Sequence, residues 1–327
     1  MTAARQLAER HRFKWWELLP WAAGIAVYFA FPNYLAFGTQ LLIAILFALS
    51  LDLVLGYAGI VTLGHAAFFG AGAYTVGMLA QHLGWNEPLS GLVAAALVAG
   101  AIGLASGTVL LRTHGLTLLM LTLCTMALLE EAANMGAAFT GGFDGMPGLK
   151  FAPLLGTFAF DLLYFRSQYL YALLVLLLCF VLVRFLVYSS FGQSLTGIRE
   201  NLLRMHAVGA PVRARLVLAY AISAALAGVA GALFAQTNAF VNLGALGLER
   251  AAGVLIILIL GGYGRLYGAF VGAICYLLLE HTLAKAYPTA WQIGLGVTLM
   301  VVALYAQNGI LGLGAALRRR LGGHRAQ

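Results

Sequence analysis

The chain has 327 residues, of which 62% are hydrophobic and only 9% are charged. A soluble domain carries about 25% charged residues, so this composition excludes a soluble globular protein and indicates an integral membrane protein. The formal net charge is +8. Its basic residues lie at the ends of apolar segments, as membrane topology demands, which argues against nucleic acid as a partner. The three cysteines have no metal-ligand spacing, so neither a metal site nor a cofactor is expected.

Apolar runs recur along the whole chain, and a helix needs roughly 20 apolar residues to cross a bilayer. We therefore predict an all-α, polytopic transmembrane helical bundle with about ten membrane segments. Their approximate bounds are 18–32, 34–54, 57–81, 90–111, 115–137, 168–187, 213–236, 248–262, 266–284 and 290–307.

The basic residues predict the orientation of these segments. With the N terminus in the cytoplasm, only Lys150, Arg166, Arg250 and Lys285 of the 19 Lys and Arg residues fall outside. Positive charge is retained on the cytoplasmic side of membranes, so we predict an N-in, C-in topology with an even number of crossings. Residues 1–17 and the basic residues 314–327 then form cytoplasmic tails around a transmembrane domain at 18–313.

The same topology places a polar segment, residues 188–215, in the cytoplasm between two long apolar runs. An apolar stripe at helical spacing predicts one short amphipathic helix, which ends near Gly209 ahead of Pro211. The stripe comprises Leu195, Ile198, Leu202 and Met205, and the polar surface comprises Arg199, Glu200, Asn201, Arg204 and His206. By pattern alone, an ordinary loop with a surface helix is an equally good interpretation.

Two glycine-rich stretches interrupt the apolar pattern. Gly56–Tyr74 holds five glycines together with Thr62 and His65, and Leu260–Ala273 repeats its arrangement in the second half. Such runs are tolerated at membrane depth where the backbone is buried in protein or lines a cavity. Glycine-interrupted segments in corresponding places of two halves indicate a transport path.

Ionisable residues near membrane segments are candidates for function because intramembrane charge is costly. They are Asp52, His65, Glu130, Glu131, Glu280 and His281. All except His65 lie near a segment end and are predicted to reach the membrane interface. His65 is equally consistent with a packing role and with a position along a path. The sequence contains no nucleotide-binding Gly-x-x-x-x-Gly-Lys-Ser/Thr motif, no His-Glu-x-x-His and no Gly-x-Ser-x-Gly, so no catalytic residue is predicted.

Several stretches, in order, resemble the permease subunits of branched-chain amino acid ABC importers, specifically the larger of the two paired permeases. The likeness covers about residues 40–313. It is carried by Gly56–Tyr74, Thr140–Gly145, Gly197–Asn201 continuing to Gly209, Leu218–Phe234, Leu260–Gly264 and Gln307–Leu313.

The resemblance implies a type II ABC importer-like bundle in the plasma (inner) membrane. It implies a heterodimer with a sister permease, two cytoplasmic ATP-binding subunits and an extracytoplasmic substrate-binding protein. The polar segment would then hold the helix that couples the chain to an ATPase. By similarity the coupling residues are Arg199, Glu200, Asn201, Arg204, Met205, Gly209 and Ala210. Thr62, His65 and Tyr74 are candidates to line the substrate path.

The cargo stays open at this point, because related permeases resemble one another. Branched-chain or related small amino acids are favoured, and urea, amides or a monosaccharide are alternatives. A different class is an ion-coupled secondary transporter. The lack of a convincing midplane acidic relay argues against that class, as does a cytoplasmic docking helix without a use in a one-chain transporter.

Overall fold

A computed structural model describes residues 15–152 and 165–288, together with positions 291, 293, 294, 296, 297, 300 and 309. Each predicted segment from 18–32 to 266–284 contains a helix, although the helix in 57–81 begins only at His65, and the tenth segment, 290–307, lies largely outside the described residues. Within 15–152 and 165–288, the α-helices of six residues or more are α1 Leu19–Ala30, α2 Leu35–Asp52, α3 His65–His82, α4 Pro88–Leu110, α5 Leu116–Met135, α6 Phe165–Tyr188, α7 Ser190–Glu200, α8 Leu202–Ala207, α9 Val212–Asn238, α10 Leu248–Gly261 and α11 Gly268–Ala286.

The described helices confirm an all-α, multi-pass membrane protein. Seven of them, within the described ranges, are long and apolar enough to cross a membrane. These candidate spans are Pro32–Tyr57, Pro88–Leu110, Leu116–Met135, Phe165–Tyr188, Val212–Asn238, Leu243–Gly261 and Gly268–Ala286. The count of ten crossings and the orientation stay predictions.

Helix α9 lies at the centre of the bundle and packs against α2, α3 and α4. Small residues make these contacts possible. A Cβ at Gly228 would lie 2.7 Å from the Ala95 carbonyl oxygen of α4, and one at Gly72 of α3 would lie 2.5 Å from Gly228 Cα. In lipid the hydrophobic effect does not drive helices together. Their association therefore depends on close van der Waals packing, which small residues permit.

Both predicted glycine-rich interruptions are breaks in the helices. After α2 the chain forms a π-helical turn, Leu53–Tyr57, and stays irregular until α3 begins at His65. In the second half α10 ends at Gly261, and Gly262 and Gly264 adopt positive φ before α11 begins. The two breaks meet, since a Cβ at Gly264 would lie 3.1 Å from the Gly56 carbonyl oxygen.

The prediction of one helix in the polar segment is wrong, because two helices meet there at an extended residue. Asn201 has φ −156° and ψ 98°, and its Oδ1 accepts a hydrogen bond from the Arg204 amide at 2.9 Å. An Asn side chain that caps a following helix competes with continuation of the preceding one. The predicted stop at Gly209 is confirmed by its φ of 79°.

The loop after α5 is fastened to the far end of α9. Positive φ angles at Gly141, Gly142, Gly145 and Gly148 form its turns. Two short strands, β1 (Met146–Pro147) and β2 (Phe240–Val241), then pair antiparallel, with Met146 opposite Val241. This strand pair is a small addition to an otherwise helical fold.

Candidate functional site

A partly buried polar contact joins the two glycine breaks to the polar segment. We name its residues, Asp52, Gly56, Arg199 and Gly264, the latch. Asp52 Oδ1 accepts a hydrogen bond from the Gly264 amide at 2.6 Å. The Arg199 guanidinium donates to the Gly56 carbonyl and lies 5.3 Å from the centre of the Tyr263 ring. The latch therefore connects α7 to the end of α2 and to the α10–α11 loop.

Asp52 does not reach solvent from the end of α2, and its predicted position at the membrane interface stays a prediction. Its side chain is only 1% exposed, and its Oδ2 has no hydrogen-bond partner among the described residues. The reason is local. The chain beyond α2 stays within the bundle, and the glycine breaks cover the carboxylate so closely that a Cβ at Gly56 would lie 2.8 Å from Gly264 Cα. A buried carboxylate with one unused oxygen is costly, and the Arg199 charge nearby offsets part of that cost.

The exposed surface of the polar segment differs from the predicted stripe. Leu195 and Ile198 are buried within the chain, whereas Leu203 and Val208 are 81% and 77% exposed. Met205 packs α8 onto α7, because a Cβ at Gly197 would lie 3.0 Å from its sulfur. The predicted stripe does not include Leu203 and Val208, because on a single continuous helix these two side chains would lie on another face.

The three predicted path residues are all buried. His65 Nε2 lies 2.9 Å from Ser50 Oγ. The Ser50 hydroxyl donates its own hydrogen bond to the Phe47 carbonyl oxygen at 2.6 Å. Nε2 must therefore be the donor to Ser50 Oγ, which requires the Nε2–H tautomer. The His65 ring also stacks on Phe47, with centroids 5.6 Å apart. Thr62 Oγ1 accepts from the Gly64 amide at 3.1 Å. The Tyr74 hydroxyl has no partner within the described part of the chain.

These residues are not brought together at one site. His65 and Tyr74 lie nine residues apart on α3, which is about 13 Å along the helix. Neither they nor Thr62 line the large cavity described next. His65 has the contacts of a packing residue in this structure.

A cavity of about 670 Å³ lies between α2, α9, α10 and α11. We name it the α10–α11 cavity. It is at the opposite end of α10 from the latch, since Arg250 and Gly261 are separated by eleven residues, or about 16 Å. The polar residues in its wall are Gln40, Asn238, Asn242, Glu249, Arg250 and Glu280, and its apolar wall includes Ile43, Phe47, Phe69, Phe234, Val254 and Ile257.

Arg250 is the basic residue in the wall of this cavity, and it interacts electrostatically with the wall carboxylates Glu249 and Glu280. Its guanidinium carbon lies 4.8 Å from the centre of the Phe234 ring and 5.3 Å from that of Phe69. Guanidinium groups bind aromatic faces in this way when few polar partners are near. Sequence reasoning treated Arg250 only as a topological charge. The available signal was a Glu–Arg pair at the first turn of an apolar segment.

Comparison with known proteins identifies the family. The family model described as "Branched-chain amino acid transport system / permease component" matches residues 33–304. The chain belongs to this family. As a member, it is a membrane permease subunit of an ABC importer.

Relatives in the family carry two kinds of name. The high-affinity branched-chain amino acid transport system permease protein LivM of Escherichia coli K12 is 29% identical over 297 residues, covering 84% of this chain and 68% of LivM. The LivH permease protein of the same named system is 22% identical over 289 residues, covering 82% of this chain and 90% of LivH. The autoinducer 2 import system permease protein LsrC of Klebsiella pneumoniae is 30% identical over 141 residues, covering 42% of this chain and 39% of LsrC. No solved structure matches the chain.

Proposed function

We propose that this permease forms the translocation path for branched-chain or related small amino acids, while separate subunits bind and hydrolyse ATP. The similarity to LivM over most of the chain is the observation that supports this substrate class. Likeness to LsrC over a shorter stretch favours autoinducer 2 as the second candidate cargo.

The proposed architecture is a type II importer-like bundle of ten membrane segments in the plasma membrane. Residues 18–313 form the permease domain, with 1–17 and 314–327 as cytoplasmic tails. The N-in, C-in orientation is supported by contacts that gather basic side chains at the latch end. There Arg184 pairs with Glu17, and Arg213 donates to the Thr108 carbonyl at 2.9 Å.

The proposed partners are a sister permease, two cytoplasmic ATP-binding subunits and an extracytoplasmic substrate-binding protein. Similarity to both LivM and LivH, two permease proteins of one named transport system, supports pairing with a second permease. The exposed polar segment, on a chain without a nucleotide-binding motif, supports an external ATPase.

The proposed coupling element is the polar segment at 188–215. Its exposed Leu203 and Val208 would enter an apolar groove of the ATPase, as the apolar face of a docking helix does. The polar rim would orient the contact. The coupling residues are proposed to be Arg199, Glu200, Asn201, Arg204, Met205, Gly209 and Ala210.

Within this set the side chains have different tasks. Glu200, Arg204 and Arg199 are all exposed, and Arg199 also belongs to the latch through its hydrogen bond to the Gly56 carbonyl. Movement of α7 by an ATPase would pull on the latch and so on α2 and α11, as a rigid-body displacement. Thr62, His65 and Tyr74 stay predicted path residues. Their burial requires that α2 and α3 separate from their neighbours before substrate reaches them.

The experiment is ATP-dependent uptake of labelled leucine by the complete importer in proteoliposomes. Excess isoleucine should abolish uptake, whereas excess urea, ribose or autoinducer 2 should not. Competition by one of the last three would reassign the cargo, and uptake driven by an ion gradient without ATP would overturn the proposal.

Variants test the coupling part of the proposal. Glu200→Ala combined with Gly209→Ala should raise the ATP hydrolysed per leucine transported, or weaken association with the ATPase, without preventing membrane insertion. Glu131→Ala, an exposed carboxylate on α5, is the matched control. Normal coupling in the double variant would count against docking through this segment.

A further inference from the structure

We infer that the α10–α11 cavity is a transient binding site for a zwitterionic α-amino acid with an aliphatic side chain. Arg250 receives the carboxylate, Glu280 receives the ammonium group, and the apolar wall receives the side chain. This inference rests on the proposed function and adds a site and its recognition chemistry to it.

Arg250 presents unused hydrogen-bond donors to the cavity. Its guanidinium is held by the faces of Phe69 and Phe234, and no acceptor bonds to it among the described residues. A guanidinium has five donors in a planar fork that matches the two oxygens of a carboxylate. The aromatic faces fix the plane of that fork without using its N–H groups. A carboxylate that enters the cavity therefore meets an oriented receptor.

Glu280 lines the same cavity from α11 and is half-buried. It interacts electrostatically with Arg250. However, the two side chains form no ion pair within 4.0 Å, and Glu280 accepts no hydrogen bond from the residues that the structure describes. Two opposite charges held apart across a cavity are each incompletely compensated. A zwitterion placed between them would compensate both at once.

The remaining wall suits an aliphatic side chain. Ile43, Val254 and Ile257 contribute branched apolar surface, and Phe47 adds an aromatic face. Two of the three amide side chains in the wall are paired with each other, because Gln40 Nε2 donates to Asn238 Oδ1 at 3.0 Å. A volume of about 670 Å³ lies within the roughly 300–1,000 Å³ typical of small-molecule sites.

The same features disfavour the other cargo classes. A monosaccharide needs several neutral hydroxyl partners, and urea carries no charge. Either ligand would bring no charge to Arg250 or Glu280 while displacing the water that solvates them. The chemistry of the wall thus selects a ligand with both a negative and a positive end.

The test is equilibrium binding of tritiated leucine to the complete importer in nanodiscs, without the substrate-binding protein. Wild type should bind saturably. Arg250→Gln and Glu280→Gln should each weaken binding about tenfold or more, as expected for loss of a hydrogen bond to a charged group. Arg166→Gln and Glu131→Gln, exposed residues outside the cavity wall, are the matched controls and should bind like wild type.

Analogues separate recognition from general damage. In wild type, 3-methylbutylamine, which lacks the carboxylate, should compete at least about tenfold less well than leucine. Arg250→Gln should abolish that preference, because the group that reads the carboxylate is gone. Thermal unfolding of each variant should match wild type, which excludes misfolding as the cause.

Two results would overturn the inference of a binding site in this cavity. One is wild-type leucine affinity in both charge variants, and the other is no saturable binding by an importer that transports leucine. Failure of the proposed function looks different, because the wild-type importer would then take up no amino acid at all. In that case the site inference falls with it.

Discussion

The latch end and the cavity end of helices α10 and α11 differ in how they treat polar groups. At the latch end the backbones touch, since a Cβ at Gly272 would lie 2.9 Å from the Gly261 amide nitrogen. There Asp52 Oδ1 and the Gly264 amide are hydrogen-bonded to each other inside the chain, although Asp52 Oδ2 has no partner among the described residues. At the cavity end the charges of Arg250 and Glu280 have no direct partner within the described chain. The same two helices are thus closely packed at one end and line a cavity at the other.

The difference follows from side-chain size. At the latch end the backbones of α10 and α11 are in direct contact, because no side chain stands between them at Gly261, Gly268 and Gly272. Toward the other end, Tyr276 on α11 faces Gly253 on α10, and a Cβ at Gly253 would lie 3.2 Å from the Tyr276 hydroxyl. Bulky side chains there hold the helices apart. Movement at the latch would therefore be transmitted rigidly between α10 and α11, whereas the space between them at the cavity end leaves room for the proposed ligand.

The largest expected effect comes from filling the latch. Gly56→Ala should lower the free energy of unfolding by about 3 kcal/mol, because the new methyl group overlaps the Asp52 carboxylate and the Gly264 backbone. Thermal unfolding of the purified protein in detergent measures this. Gly247→Ala is the control, since its Cβ would meet its nearest neighbour at an ordinary 3.5 Å. Equal stability of the two variants would show that the latch is loosely packed.

Removing the acceptor of the latch should have the next largest effect. Asp52→Ala leaves the partly buried Gly264 amide without its side-chain acceptor and should cost about 2 kcal/mol. Asp52→Asn keeps an oxygen in place and should cost less than half as much. The same unfolding assay compares them. If Asn destabilises as strongly as Ala, the latch depends on the charge and not on the hydrogen bond.

A smaller effect on stability, with a larger one on coupling, is expected for Arg199→Gln. Loss of its contact with the Tyr263 ring and the Gly56 carbonyl should cost about 1 kcal/mol, since the side chain is partly solvated. Uptake per ATP hydrolysed should fall, because α7 is no longer tied to α2. Arg112→Gln, an exposed arginine after α4, is the control. Unchanged coupling would remove Arg199 from the transmission route.

The smallest effect is expected at the rim of the cavity. Gln40→Leu breaks the amide pair with Asn238, but water replaces that bond at a partly exposed position. The free energy of unfolding should therefore change by no more than about 0.5 kcal/mol. A loss as large as that for Asp52→Ala would mean that the cavity end is as tightly organised as the latch end, and the comparison would fail.

Much of the fold could be predicted from the sequence, because apolar runs and helix-stop residues are local features. The bounds of α4 and α9 fall within two residues of the predicted segments, and the glycine-rich breaks are where the pattern places them. Gly209 ends α8 as predicted. Less of the candidate site was predictable. Asn201 divides the polar segment because its cap competes with helix continuation, and periodicity alone does not register a cap.

By itself, the sequence determined that this is a polytopic α-helical membrane protein, where its helices break and to which family it belongs. Hydrophobicity, glycine content and motif order are properties of the chain, so no tertiary contact is needed to see them. Only the tertiary structure decided that Asp52 is buried against Gly264, which lies 212 residues away, and that Arg199 binds the membrane domain. It likewise decided that Arg250 and Glu280 face one cavity. Partners so distant in sequence meet only when the helices pack, and no local pattern encodes that meeting.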